Sequence, residues 1–246
     1  MVQRVIVGIL GGMGPAATAD LYAKIIAATP ATRDQDHLHV VIWADPTVPD
    51  RSTALLHGGE DPTPWLRRGA MQLAAMGASF IAMPCNTAHA FIPRIEQDVS
   101  IPFLHMMDET ATAVERTYPA IQRVGLLATS GTIASGLYQE WFARRHIEVV
   151  VPNADTQECF VMSAIHRVKA GETGSDTTAL LVEAGASLVA HGAQALIAGC
   201  TELPLVFRDG DASVPVIDPT RVLAEAIVRR ATVMHEDRVQ KGGGGL

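Results

Sequence analysis

Phe80-Ile81-Ala82-Met83-Pro84-Cys85-Asn86-Thr87 and Ala195-Leu196-Ile197-Ala198-Gly199-Cys200-Thr201-Glu202 decide how the rest of the chain is read. Each is an apolar run, then a Pro or small break, then a cysteine followed by short polar residues. A run of this length bounded by a turn signal reads as a buried strand of a parallel sheet. A thiol where such a strand runs out into a polar turn is well placed for chemistry, because backbone N–H groups at a following helix start can lower its pKa. Two such thiols fit a reaction that needs an acid and a base of the same kind.

Working outward, short apolar runs alternate with helix-period stretches along the whole chain. Strands are expected near 3–10, 38–44, 79–84, 101–104, 122–128, 147–151, 194–199 and 214–217. Helices are expected near 15–28, 63–77, 87–97, 108–118, 132–145, 156–169, 175–191 and 219–234. Strand and helix in alternation predict an α/β fold with mostly parallel sheets and helices on both faces. Ligands in such folds collect at the carboxyl ends of strands, where both cysteines fall.

A weak internal repeat divides the chain. Val7-Gly8-Ile9-Leu10 and Val124-Gly125-Leu126-Leu127 are offset by 124 − 7 = 117, and the two cysteines by 200 − 85 = 115. This predicts two pseudo-symmetric α/β domains with the site in the cleft between them. The boundaries expected are 1–106 plus 218–246 for the first and 107–217 for the second.

Bulk properties narrow the function. The chain has 246 residues, 48% hydrophobic but only 5% aromatic, which fits an aliphatic core. A net charge of −7 argues against general nucleic-acid or membrane-surface binding. Three cysteines are too few for a disulfide scaffold and fit a cytoplasmic protein. The N-terminus lacks a signal-peptide shape, and no segment reaches the ~18 apolar residues of a membrane span. Lys241 to Leu246 reads as a flexible tail.

Other motifs admit competing readings. Gly12-Met13-Gly14-Pro15-Ala16-Ala17 matches the G-x-G-x-x-A dinucleotide fingerprint, with Asp45 as a ribose contact, and so raises a nicotinamide-dependent oxidoreductase. However, Asp45 lies 45 − 14 = 31 residues beyond Gly14 where about 20 is usual, and a tight packing turn explains the glycines equally well. Thr129-Ser130-Gly131-Thr132 at the matching place in the second half is either an anion-friendly helix start or an ordinary N-cap. Arg51 in a Pro-rich loop is a candidate carboxylate clamp. Lys169, alone between Lys24 and Lys241, ends a predicted helix, where it either meets the helix dipole or serves a ligand. Cys85 and His89 are four apart, but no second pair completes a metal site; a cysteine hydrolase with His89 as base would leave Cys200 unexplained. Cys159 is expected as a helix residue packed like a small hydrophobe. A non-catalytic ligand-binding protein is a third class of reading.

Taken together, Gly8 to Pro15, Pro46 to Arg51, Pro84 to His89, Val124 to Thr132 and Gly199 to Glu202 resemble the aspartate/glutamate racemase family over most of the chain. The resemblance implies a cofactor-independent enzyme, a homodimer, with Cys85 and Cys200 as the acid–base pair. It also implies ligand-binding roles for Met13, Arg51, Asn86, Thr87, Lys169 and Thr201. Cysteine at 85 favours two-way racemisation, and Arg rather than Gln at 51 favours an acidic side chain, hence aspartate. Glutamate, other amino acids, or a two-cysteine isomerisation of maleate or hydantoins stay open.

Overall fold

The computed structural model describes residues 4–242, the side chains at 239, 241 and 242 excepted. The first half runs β1 (Ile6–Gly11), α1 (Pro15–Ala28), β2 (His39–Ala44), α2 (Arg51–His57), α3 (Thr63–Ala75), β3 (Phe80–Ala82) and β4 (Phe103–Leu104). After α4 (Met106–Thr117) the second half runs β5 (Arg123–Leu127), α5 (Ser130–Ser135), α6 (Leu137–Ala143) and β6 (Glu148–Val150). It continues through α7 (Ala154–Thr156), a π-helical stretch Gln157–Met162, α8 (Ser163–Lys169), α9 (Ser175–Ala190), β7 (Leu196–Ala198) and β8 (Val216–Ile217). A long α10 (Pro219–Gly242) closes the chain.

Two four-stranded sheets result, ordered β2-β1-β3-β4 and β6-β5-β7-β8, with every pairing parallel. The same order appears twice, and the register is duplicated as well. Gly8 pairs with Ile81, and 81 + 4 = 85; Gly125 pairs with Leu196, and 196 + 4 = 200. Each cysteine therefore lies four residues beyond the partner of an equivalent glycine. Both glycines allow the helix before the cysteine strand to approach closely. A Cβ on Gly8 would meet Leu73 of α3 at 3.4 Å, and one on Gly125 would meet Leu188 of α9 at 3.0 Å.

The central strands β3 and β7, covered on both faces, are wholly apolar and buried, whereas the edge strands β2 and β6 begin with the exposed His39 and Glu148. The largest buried cluster joins one face of each sheet (Val7, Ile9 and Phe80; Val124, Leu126 and Ile197) through α4 and α10. The opposite faces pack separately: Leu10 and Ile81 on α3, and Leu127 and Leu196 on α8 and α9.

Several elements depart from expectation for local reasons. Arg51 does not sit in a loop but begins α2, because Asp50 caps that helix by accepting from Thr53 N at 2.7 Å. The expected helix 87–97 is a 3₁₀ segment, Thr87–Arg94, carrying Pro93 inside it. The expected helix 132–145 is cut at Gly136, whose φ of 69° ends α5 and starts α6. Cys159 is exposed rather than packed, since the π-helical turn directs Gln157 and Val161 inward instead. The tail expected at 241–246 is helical through Gly242, and its remaining residues, 243–246, lie outside the described residues, as does residue 3.

Candidate active site

Cys85 stands three residues past β3 and Cys200 two past β7, each with 6% of its surface exposed. The Cys85 loop is held from behind by His89. With Met106 N–H donating to Nε2 (3.2 Å), Nδ1 carries the proton and donates to the Cys85 carbonyl at 2.8 Å. Burial, with the neighbouring His105, pushes the His89 ring down to about 3, so it is neutral. Both ring nitrogens are occupied by backbone, which removes His89 as the base of a cysteine hydrolase.

The two cysteine loops meet in a cavity of about 20 Å³ lined by Met13, Asp50, Arg51, Ser52, Cys85, Asn86, Thr87, Thr129, Lys169, Cys200, Thr201 and Glu202. All eight residues to which the family resemblance gave a catalytic or ligand-binding role are on its wall. Asp50, Ser52 and Glu202 join them without having been given a role there. A larger cavity, about 590 Å³, opens elsewhere between α1, α4 and α10. It contains neither cysteine, and its Lys24 is already paired with Asp20 and Asp218.

Hydrogen bonds sew the halves together around the small cavity. Thr87 Oγ1 lies 2.9 Å from Thr129 Oγ1 and 2.8 Å from Thr132 Oγ1, while Tyr138 OH donates to Asn86 Oδ1 at 2.7 Å. Thr129 also caps α5 by accepting from Thr132 N at 3.1 Å, so the N-cap reading of this motif holds alongside its place on the cavity wall. Thr201 Oγ1 reaches across to the Pro84 carbonyl at 3.4 Å.

Two cations, Arg51 and Lys169, share the cavity wall with two carboxylates, Asp50 and Glu202. Arg51 is fixed by Nη1 donating to the Val48 and Pro49 carbonyls at 3.1 and 3.0 Å, and its Nε is buried without a partner. Asn86 Nδ2 is a second buried donor without one. Lys169 arrives at the end of α8, and the π-helical stretch that leads into α8 is tied to the residue after β5 by Gln157 Nε2 donating to the Ala128 carbonyl at 2.9 Å. Burial works against Asp50, yet the Thr53 N–H and hydroxyl, with Arg51 and Lys169, keep its carboxyl below the usual range. Cys200 differs: burial and then the charge of Glu202 push its thiol well up, with Lys169 opposing.

A model of the Asp/Glu/Hydantoin racemase family matches residues 10–227. The chain belongs to that family. The broad-specificity amino-acid racemase RacX of Bacillus subtilis is 31% identical over 226 residues, covering 90% of this chain and 96% of its own. Picrophilus torridus aspartate racemase superposes with a TM-score of 0.80 at 34% identity, covering 93% of this chain and 94% of its own. Glutamate racemase from Francisella tularensis, solved with D-glutamate, shares the fold with a TM-score of 0.69 at 18% identity, covering 97% and 84%.

Membership in a racemase family overturns the oxidoreductase reading of the Gly12 turn, and local packing explains the glycines. Gly12 has φ 96°, and a Cβ there would lie 2.4 Å from Asp45 N. Thr18 Oγ1 accepts from Gly12 N at 2.9 Å and donates to the Gly14 carbonyl at 3.0 Å. Asp45, the supposed ribose contact, is engaged by Thr47 and Arg68.

Proposed function

We propose that this protein interconverts the enantiomers of an acidic amino acid, aspartate, without a cofactor, using Cys85 and Cys200 as alternating base and acid. The observation that supports this most is the pairing itself: two buried thiols at equivalent strand ends, on one cavity that also carries two cations and two partnerless donors. A buried donor left unpaired costs about 1–3 kcal/mol, which a carboxylate ligand would recover.

In this reading Arg51 and Lys169 bind the carboxylates, and Asn86, Thr87 and Thr201 orient the α-carboxylate and amino group beside Met13. Cys85 as thiolate takes the Cα proton from one face. The electron pair moves toward the α-carboxylate as enolate character grows, where fixed donors stabilise it. Cys200 as thiol delivers a proton to the other face; the opposite enantiomer reverses the roles. Each sheet with its helices serves as one domain (1–106 plus 218–246, and 107–217), and the two separate to admit substrate, because about 20 Å³ holds roughly one water.

The test is conversion of L- to D-aspartate with solvent deuterium entering Cα, without added pyridoxal phosphate or metal. Cys85→Ala and Cys200→Ala should each abolish it, whereas Cys159→Ala, at an exposed position, should not. Absence of exchange with every amino acid tried would defeat the reading. A broader substrate range is the second reading, favoured by the likeness to RacX, and the same exchange measured across amino acids separates the two.

A further inference from the structure

The two thiols have matching positions but unlike neighbours. Two residues beyond Cys85 stands Thr87, and two beyond Cys200 stands Glu202. Thr87 spends its hydroxyl on the threonines of the other half. Glu202 instead turns a carboxylate, 4% exposed, onto its own cysteine: Oε2 accepts from Cys200 Sγ at 3.0 Å and from Thr201 Oγ1 at 3.4 Å. The other oxygen, Oε1, lies against the Gly14 turn, 3.1 Å from where a Cβ would stand, so glycine there makes room for the carboxylate. Among the described residues no cation forms an ion pair with Glu202. The charged and titratable groups facing Cys200 from other elements are Lys169 at the end of α8, Asp50 and Arg51 at the start of α2, Cys85, and Tyr138 on α6.

We propose that Glu202 is a positioning residue that holds Cys200 as the resting acid, leaving Cys85 to serve as base, so that the two directions of reaction differ in their pH dependence. The direction-dependence rests on the racemase reading; the hold of Glu202 on the thiol does not. When Cys85 thiolate takes the Cα proton, Cys200 gives its own proton to the opposite face and becomes a thiolate beside a carboxylate. Like charges in contact favour its reprotonation from solvent, while the Cys85 thiol returns its proton to solvent and restores the starting form. For the other enantiomer Cys200 must first lose its proton to solvent against the same repulsion, so that direction gains as pH rises. The upward displacement of the Cys200 thiol by burial and by Glu202 agrees with this.

The experiment uses the full-length Cys85→Ser/Cys159→Ser protein, in which Cys200 is the sole thiol, and follows thiolate ultraviolet absorbance against pH. Adding Glu202→Gln should lower the midpoint by at least about one pH unit, a roughly tenfold gain in thiolate, the floor for unit charges this close even with bulk-water screening. Glu202→Asp, which keeps the charge but draws it back by one methylene, should move the midpoint less. An unchanged midpoint in both variants overturns the proposal whatever the substrate. In the otherwise native protein, the kcat profiles with L- and D-aspartate should be displaced along the pH axis and converge in Glu202→Gln. Displacement that survives Glu202→Gln overturns the directional part. A midpoint that moves in a protein exchanging no amino-acid Cα proton supports the hold of Glu202 and refutes the racemase reading alone.

Discussion

Acidification should cost this protein stability through one ring, His89. Its Nδ1–H serves the Cys85 carbonyl and its Nε2 receives Met106 N–H, and the ring is fully buried. A second proton would set a donor against a donor and place a charge in the core. The folded value of about 3 lies below the 6.5 of the free group, so unfolding takes up a proton between those limits. The contribution is therefore present above pH 6.5 and lost as pH falls toward 3. Across the whole window, 6.5 − 3 = 3.5 units at about 1.36 kcal/mol each gives about 5 kcal/mol. Between about pH 6 and pH 5, above the range where carboxylates dominate, His89 alone should remove about 1.2 kcal/mol. The assay is urea unfolding of the native protein and His89→Gln at both pH values. The variant is less stable at neutral pH but should lose less on acidification, by that amount. His105, also held low by burial with Asp108 opposing, contributes with the same sign to both proteins and so cancels. Equal losses in the two proteins would show that His89 does not carry the proton uptake.

Gly12→Ala should destabilise by roughly 2–5 kcal/mol, from left-handed strain together with contact on the Asp45 backbone, read as a lower urea midpoint with unchanged slope. Tyr138→Phe leaves Asn86 Oδ1 without its donor and should cost about 1–3 kcal/mol in thermal unfolding, with KM moving more than a change on the exposed face of α6 would move it. Arg51→Ala should raise KM for aspartate, by about tenfold or more if a charge-assisted carboxylate bond is lost; an unchanged KM removes Arg51 from the site.

Much of this fold could be read from the sequence because buried parallel strands leave short apolar runs, and eight runs became eight strands. Glycines paired opposite the cysteine strands made the duplication visible, since close helix approach requires them in both halves. What escaped was set by side-chain capping and by contacts between distant segments. The short α2 was hidden by the prolines ahead of it, Pro46 and Pro49, although Asp50 is an N-cap residue type that could have revealed it. Six of the eight candidate residues follow the ends of β1, β3 and β7, which meet at one cavity, while Arg51 and Lys169 reach it from the ends of helices α2 and α8. Glu202 was part of the motif that marked Cys200, but nothing local says that its carboxylate turns back on the thiol rather than outward. The contrast with Thr87 at the equivalent place was the available signal.

The last helix gives the chain an order of assembly. Residues 219–242 are synthesised after both sheets, yet Leu223, Ala224 and Ile227 fill the same apolar cluster as Val7, Ile9, Leu21 and Ile25 near the start. Until they emerge from the ribosome, the earliest strand and helix have one face open to water. The first half of this protein can form its hydrogen bonds early, but it must wait for the far end of the chain to become dry.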